Sequence, residues 1–187
     1  MRIPLLLHLL LPVYIIQGNS VEKERLHNCF SSCPAGWEIK GKMCFLWPLS
    51  TKSWEDAEKY CNNNNNSNLA SVTCQEIHNY IQARVNTLDW KSCFWVGGTD
   101  KEEEGNWRWT DGSTWNFTQW SKHDNQPNNS WGKEDCLQIF HPKPIEEWND
   151  NVCQEKFKFV CSLRICLHDS HTKVQAMSMA LTFQYWH

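Results

Sequence analysis

Ten cysteines in a chain of 187 residues constrain this protein more than any other feature. They are an even set spread over most of the chain: Cys29, Cys33, Cys44, Cys61, Cys74, Cys93, Cys136, Cys153, Cys161 and Cys166. No two of them form a CxxC pair, and the histidines do not stand at zinc-finger spacing, so a zinc site is disfavoured. In an oxidising compartment such a set predicts a disulfide framework, although spacing alone does not give the connectivity.

The first twenty residues indicate which compartment this is. Arg2 is followed by an apolar run over 3–16 and then by a small polar stretch over 17–20. A charged start, a short apolar segment and small residues at the exit are typical of a secretory signal peptide. The run is too short for a membrane-spanning helix, which needs about 20 apolar residues. We therefore predict that residues 1–20 are a signal peptide and that the protein is secreted, extracellular and without a membrane span.

Composition narrows the class of function. The formal net charge is only -3, with 18 basic and 21 acidic residues, so the basic surface expected of a nucleic-acid binder is missing. Hydrophobic residues make up 41% of the chain, which is enough for a core and excludes wholesale disorder. No nucleophile elbow, phosphate loop or zinc-binding helix is recognisable in the sequence. These features favour a binding module over an enzyme.

Periodicity predicts two helices followed by short strands. The capping pairs Ser53–Asp56 and Thr73–Glu76 each precede a helical stripe of apolar residues. Short apolar segments with strand-like patterns lie at 43–49, 94–96, 107–109, 136–140 and 157–161. This order predicts an α+β domain, and the long polar stretch over 115–150 is expected to be functional. We expect six tryptophans to pack in the core: Trp37, Trp54, Trp95, Trp107, Trp109 and Trp148.

Five motifs in the region 33–161 resemble, in order, those of the C-type lectin-like domain. The first is the opening Cys33-Pro34-Ala35-Gly36-Trp37 with Cys44-Phe45, and the second is Trp95-Val96-Gly97-Gly98, which is similar to the family's WIGL motif. The third is Trp107-Arg108-Trp109-Thr110-Asp111-Gly112-Ser113. The last two are Gln126-Pro127-Asn128 with Glu134-Asp135-Cys136, and Trp148-Asn149-Asp150 with Cys153. The resemblance is strongest to single-domain secreted lectins of fish and venom type.

The resemblance implies a C-type lectin-like fold, in which two helices and small antiparallel sheets are joined by long disulfide-stapled loops. It implies three bridges: Cys33–Cys44, Cys61–Cys161 and Cys136–Cys153. It places the domain at 33–161, after a short N-terminal segment at 21–32. The remaining tail, 162–187, has no family counterpart, and we expect it to be poorly ordered.

The polar residues of these motifs carry the expected chemistry. Calcium takes roughly 6–8 oxygen ligands, supplied by carboxylates and side-chain amides. The resemblance places five such side chains at the family's calcium and sugar site. They are Gln126, Asn128, Glu134, Asn149 and Asp150. In the family the proline between the first two ligands is cis, and a sugar completes the calcium shell with two vicinal hydroxyls. We therefore expect Ca²⁺ as the cofactor.

The triplet Gln126-Pro127-Asn128 departs from both common family patterns. Family members with Glu-Pro-Asn tend to prefer mannose-type hydroxyls, and those with Gln-Pro-Asp prefer galactose-type hydroxyls. The present triplet has no carboxylate, so Glu134 and Asp150 carry all the negative charge of the five ligands. Trp131 lies just beyond the triplet, where an aromatic face stacks well on the apolar side of galactose. This residue favours galactose.

The expected function is calcium-dependent recognition of glycans, including those on microbial surfaces, in innate defence. An alternative from another class is a calcium-independent protein- or ice-binding module on the same fold. The mixed chemistry of Gln126 and Asn128 supports this alternative.

Four cysteines and three sequons complete the predictions. A Cys74–Cys93 bridge would tie the second helix to the sheet. Cys29 and Cys166 are expected either to bridge each other or to bridge a second chain. A bridge to a second chain would give a disulfide-linked dimer. Asn65 and Asn116 are predicted glycan sites. Asn128 also begins a sequon but is expected to be unmodified because of its role as a ligand.

Overall fold

The computed structural model describes residues 30–89, 93–123, 125–139 and 147–166. The predicted signal peptide, the segment before Phe30 and the tail beyond Cys166 lie outside the described residues. Among the described helices, none combines the length and the apolar character needed to cross a membrane.

Two helices and two sheets make up the described fold. The helices are α1 (Trp54–Asn63) and α2 (Gln75–Asp89). One sheet, called here the terminal sheet, contains β1 (Glu38–Lys40), β2 (Met43–Leu46), β3 (Asn68–Leu69) and β9 (Cys161–Arg164), in the order β1-β2-β9-β3. The other, called the central sheet, contains β4 (Phe94–Thr99), β5 (Arg108–Trp109), β6 (Cys136–Ile139), β7 (Trp148–Asn151) and β8 (Lys158–Phe159). Its order is β5-β4-β6-β7, with β8 pairing in parallel to β4. The α+β class is confirmed.

The two helices begin close to their predicted caps. The Ser53 hydroxyl accepts a hydrogen bond from the Asp56 amide at 3.3 Å, and the buried face of α1 contains Trp54, Ala57 and Cys61. The helix ends at Asn63, the second of the five consecutive asparagines at 62–66, and the amide of the cap residue Asn64 donates to the Cys61 carbonyl oxygen at 2.9 Å. Helix α2 begins at Gln75, two residues after the predicted cap residue Thr73.

The core lies between α2 and the central sheet. All six residues of β4 are buried, and its two glycines are required by close packing. A Cβ at Gly97 would lie 2.5 Å from the Leu69 carbonyl oxygen, and one at Gly98 would lie 2.6 Å from Leu137 Cδ2. Of the six tryptophans predicted to be in the core, five are buried and Trp37 is half-buried and packs at its edge.

The three disulfides that the resemblance implied are present. Cys33–Cys44 closes the N-terminal hairpin, Cys61–Cys161 ties α1 to β9, and Cys136–Cys153 joins β6 to the chain after β7. The predicted Cys74–Cys93 bridge is wrong. Cys74 has a free thiol that is exposed at the N-terminal end of α2, so it faces solvent instead of the sheet. Cys166 is disulfide-bonded, and Cys29, its predicted partner, lies outside the described residues.

The predicted end of the domain at Cys161 is also wrong. Strand β9 continues to Arg164, which pairs with Met43 of β2. Beyond it, Ile165 forms a bridge with Phe30 and is only 5% exposed. Leu163 and Ile165 pack around the Cys44 side of the terminal sheet. The domain therefore includes at least Phe30 at its start and Cys166 at its end, because the Cys166 amide donates to the Phe30 carbonyl oxygen at 2.8 Å.

Candidate functional site

Strand β7 positions two of the predicted ligands. Sequence analysis assigned this stretch to a long polar loop, but it pairs with β6, with Asp150 opposite Leu137 and Asn149 opposite Gln138. Side chains alternate between the two faces of a strand. The buried Trp148 and Asp150 therefore share one face, and Asn149 is half-buried on the other. A hydrogen bond from Trp148 Nε1 to His78 Nδ1, 3.2 Å long, fixes the strand against α2.

The loop 125–134 wraps around the carboxylates of Asp150 and Glu134. The two Asp150 oxygens accept hydrogen bonds from the backbone amides of Asn128 at 3.2 Å and Asn129 at 2.7 Å. A Glu134 oxygen accepts the Ser130 backbone amide at 3.0 Å. Left-handed backbone at Asn129, with φ of 41°, helps turn the chain so that these amides point inward. The loop therefore stabilises the two carboxylates with its own N–H groups.

The triplet joins the same arrangement. The Gln126–Pro127 peptide bond is cis, as the resemblance implied. The Gln126 side-chain oxygen accepts the Asn128 amide at 3.1 Å, and the Ser130 hydroxyl donates to Asn128 Oδ1 at 2.5 Å. The Asn149 side-chain amide donates to the Asp150 carbonyl oxygen. Together, the five predicted ligands form one hydrogen-bonded group, called here the Asp150 site: Gln126, Asn128, Glu134, Asn149 and Asp150.

Electrostatics at the Asp150 site favour a cation. Burial raises the pKa of Glu134 above its ordinary value, and the Asp150 charge raises it further, whereas the Ser130 amide opposes the shift. Trp131, the predicted sugar-stacking residue, is 94% exposed, so its ring faces solvent at the edge of the loop. A bound cation would relieve the repulsion between the two carboxylates.

A second acidic group was missed by sequence analysis. The Asp100 cluster consists of Asp100, Glu104 and Asp135, whose carboxylate oxygens all lie within 4.8 Å of one another. Asp100 follows β4 and is only 2% exposed. One of its oxygens accepts the Gly105 amide at 2.9 Å, whereas Oδ1 is buried without a hydrogen-bond partner.

The Asp100 cluster is also electrostatically unfavourable without a cation. Burial raises the pKa of Asp100 to about 6; the Gly105 amide opposes this shift, and the charges of Glu104 and Asp135 add to it. In the sequence, the three consecutive glutamates at 102–104 are typical of a solvated acidic loop. The available signal was Asp135, a second carboxylate directly beside the predicted ligand Glu134.

Asn129 connects the two carboxylate groups. Its side-chain amide donates to a Glu104 oxygen, and its Oδ1 accepts the Glu134 backbone amide at 3.1 Å. Its own backbone amide donates to Asp150. The Asp150 site offers carboxylate and amide oxygens, and the Asp100 cluster offers carboxylate oxygens. These are the ligand atoms that calcium prefers. Two adjacent oxygen-rich groups on a disulfide-stapled α+β domain are the architecture of a lectin-type binding module.

Comparisons with known proteins agree with this architecture. The model of the lectin C-type domain matches residues 50–163. The galactose-specific lectin nattectin of Thalassophryne nattereri is 33% identical over 133 residues, which cover 71% of this chain and 80% of that protein. The crystal structure of C-type lectin CEL-I from Cucumaria echinata is 30% identical, with a TM-score of 0.67, and the match covers 72% of this chain and 99% of that one. A calcium-independent type II antifreeze protein is 27% identical, with a TM-score of 0.63 and a match over 72% of this chain and 96% of that one.

The chain belongs to the C-type lectin family, a family of carbohydrate-binding proteins rather than enzymes. The cysteine pairing, the two helices and the small antiparallel sheets all agree with this assignment.

Proposed function

We propose that this protein is a secreted lectin that binds glycans through a calcium ion held at the Asp150 site. The observation that carries the proposal is that the loop 125–134 surrounds the Asp150 carboxylate and contains the Glu134 carboxylate. Gln126 and Asn128 are hydrogen-bonded within this loop, and Asn149 is the neighbour of Asp150 on β7. Five oxygen-bearing side chains provide most of a calcium shell, and two vicinal sugar hydroxyls would complete it.

The Asp100 cluster is an independent observation that supports a role for calcium. A buried carboxylate oxygen without a partner is costly, and two like charges beside it add to the cost. A second calcium ion at the Asp100 cluster would remove both penalties. Through Asn129, this ion would also fix the loop that carries the sugar ligands.

We further propose a galactose-type preference. The exposed ring of Trp131 offers a flat apolar surface beside the Asp150 site, and galactose has an apolar face suited to stacking. The similar protein nattectin is described as galactose-specific. Glycans on microbial surfaces would then be natural targets, and defence against microbes the corresponding role.

One observation favours a second candidate, a calcium-independent protein- or ice-binding module. The carboxylates of the Asp150 site accept backbone amides, so hydrogen bonds within the protein compensate part of their charge. The similarity to a calcium-independent type II antifreeze protein points in the same direction.

Calcium titration distinguishes the two candidates. Calorimetry is performed on the wild type and on the variants Glu134→Gln and Asp150→Asn, with retention on galactose- and mannose-agarose measured in calcium and in chelator. Each variant should lose calcium-dependent retention and bind calcium at least about tenfold more weakly, since one charged ligand is removed.

The matched control is Asp111→Asn, because this exposed carboxylate contacts only its own turn at Ser113. Its calcium affinity should equal that of the wild type. Equal calcium affinity in all four proteins, together with no calcium-dependent retention in any of them, would instead favour the calcium-independent candidate.

The triplet allows the sugar preference to be changed. Asn128→Asp adds a third negative charge to the Asp150 site and completes a galactose-type triplet, so calcium should bind more tightly. Gln126→Glu adds the same charge on the other side of the proline and should shift retention from galactose-agarose towards mannose-agarose. If neither variant changes calcium affinity, the ion does not bind beside the triplet.

A further inference from the structure

We infer that Asn128 is an N-glycosylation site, and that a glycan on it divides the secreted protein into a sugar-binding form and a form that holds calcium but cannot bind sugar. This inference rests on the proposed function of the Asp150 site. It also changes the expectation that a ligand role would keep Asn128 unmodified.

The sequon is complete and lies on the surface. Asn128-Asn129-Ser130 fits N-x-S/T without proline at the middle position. Asn128 is exposed, and the Ser130 hydroxyl donates to its Oδ1 at 2.5 Å. The acceptor amide and the hydroxyl of the sequon are therefore in direct contact even in the folded loop.

The fold does not protect this asparagine during synthesis. The loop is held by carboxylates that come later in the chain, since Asp150 receives the amides of Asn128 and Asn129, and Glu134 receives that of Ser130. The chain is made from its N-terminus, so the sequon enters the secretory compartment before Asp150 can order it. At that stage Asn128 lies in an unfolded segment.

Calcium ligation and glycosylation use different atoms of the same amide. In glycan transfer, Asn128 Nδ2 gives one proton to a base of the transferase and forms a bond to C1 of the first sugar, while the lipid diphosphate leaves that carbon with the electron pair of the broken C1–O bond. The carbonyl oxygen Oδ1 is unchanged and keeps its lone pairs for calcium. A modified Asn128 would therefore still serve as an oxygen ligand.

The effect on sugar binding is different. After transfer, Nδ2 has one N–H instead of two, and it carries a large hydrophilic substituent. Asn128 lies three residues from Trp131, whose ring is exposed at the edge of the Asp150 site. The attached glycan would occupy the space that a bound sugar needs. Sugar binding should be lost while calcium binding persists.

The other two sequons provide a comparison within the same chain. Asn65 follows α1 and Asn116 lies in the segment after β5, so both are outside the loop 125–134. A glycan at either position leaves the amide of Asn128 unchanged. Thr118 is exposed, so Thr118→Ala removes the Asn116 sequon without disturbing a buried contact.

The test separates the secreted protein by function and then locates its glycans. The full chain is secreted from eukaryotic cells and applied to galactose- and mannose-agarose in calcium. Glycopeptide mass spectrometry then measures the occupancy of Asn128 in the flow-through and in the retained fraction. Calorimetry compares the calcium affinity of the two fractions, and protein refolded from bacteria provides an unmodified reference.

We expect Asn128 to be modified in the flow-through and unmodified in the retained fraction, with equal calcium affinity in both. Ser130→Thr keeps the hydroxyl and strengthens the sequon, so it should reduce the retained share. Ser130→Ala removes the sequon and should abolish the modified flow-through fraction; the refolded form of this variant reports any effect of losing the hydroxyl itself. Thr118→Ala should leave the retained share unchanged.

Two results would overturn the inference: an unmodified Asn128 in the secreted protein, or modified molecules that are retained as well as unmodified ones. Failure of the proposed function has a different signature. In that case the unmodified refolded protein would not be retained on either sugar, whatever the occupancy of Asn128.

Discussion

The Asp150 site and the Asp100 cluster lie side by side, yet they stabilise their carboxylates in opposite ways. Each Asp150 oxygen accepts a backbone amide from the loop 125–134. Asp100 has one such amide, from Gly105, and its second oxygen is buried without a partner next to Glu104 and Asp135. Backbone N–H groups therefore compensate the Asp150 carboxylate, whereas a proton or a cation would be needed to compensate the carboxylates of the Asp100 cluster.

The largest expected effect comes from making the same substitution at both positions in the presence of chelator. Asp150→Asn replaces one acceptor oxygen by an NH₂ group that faces a backbone N–H, so the free energy of unfolding should fall by about 1–3 kcal/mol. Asp100→Asn keeps the contact to Gly105 and lets the new amide donate to Glu104 or Asp135. This substitution should raise the free energy of unfolding by about 1 kcal/mol. Urea denaturation measures both changes.

A surface carboxylate serves as the control for this pair. Glu102 forms an exposed ion pair with Arg108, so Glu102→Gln should change the free energy of unfolding by less than about 1 kcal/mol. The comparison would fail if Asp100→Asn and Asp150→Asn both destabilised the chelated protein to the same extent.

The pH dependence of stability provides a second, smaller test. The folded pKa of Asp100 is about 6, against an ordinary value of 3.8. Between these values the folded state binds more protons than the unfolded state, so the Asp100 contribution to stability decreases as the pH rises from about 4 to about 6. The pKa of Glu38 is lowered, mainly by its hydrogen bond to Arg84, and this residue acts in the opposite direction.

The difference between the wild type and Asp100→Asn isolates this contribution. Melting temperatures in chelator should fall more steeply with pH for the wild type than for Asp100→Asn over this interval. In excess calcium, the wild type and Asp100→Asn should no longer differ in how steeply the melting temperature changes with pH. Parallel curves in chelator would show that Asp100 is not the group that titrates.

The smallest effect concerns Asn129, which links the two groups. Asn129→Asp removes the hydrogen bond that the Asn129 amide donates to Glu104, so the chelated protein should be destabilised by about 0.5–1 kcal/mol. In calcium the added charge should instead strengthen ion binding, so the calcium-induced rise in melting temperature should exceed that of the wild type. Asn125→Asp is the matched control, because Asn125 is another left-handed asparagine of the same loop.

Local sequence was sufficient to predict the parts of the fold that depend on short-range patterns. The α1 cap at Ser53, the cores of the short strands and the buried tryptophans follow from spacing and burial preference. The three confirmed disulfides and the five residues of the Asp150 site followed from the resemblance of ordered motifs. Each of these features could be predicted from a short segment of the sequence, without knowledge of which other segments it contacts.

The errors occurred where distant segments meet. Leu163 and Ile165 appeared to belong to a loose tail, because their partners Cys44 and Phe30 are more than one hundred residues earlier in the chain. Chain order places Cys74 at the start of the second helix and Cys93 at the strand that follows, but Cys74 is exposed at the start of α2 and does not pair with Cys93. A strand at the end of a sheet is recognisable only when its partner strand is known.

What the sequence determined by itself is the chemical inventory: the cysteines of the framework, the amides and carboxylates of the Asp150 site, and a sequon that overlaps them. Only the tertiary structure decided how these charges are compensated. It brought Asp100 at the end of β4 next to Asp135 before β6, and it aimed three loop amides at Asp150 and Glu134. The physical reason is that the cost of a carboxylate depends on burial and on donors from other segments, and neither is encoded near the residue itself.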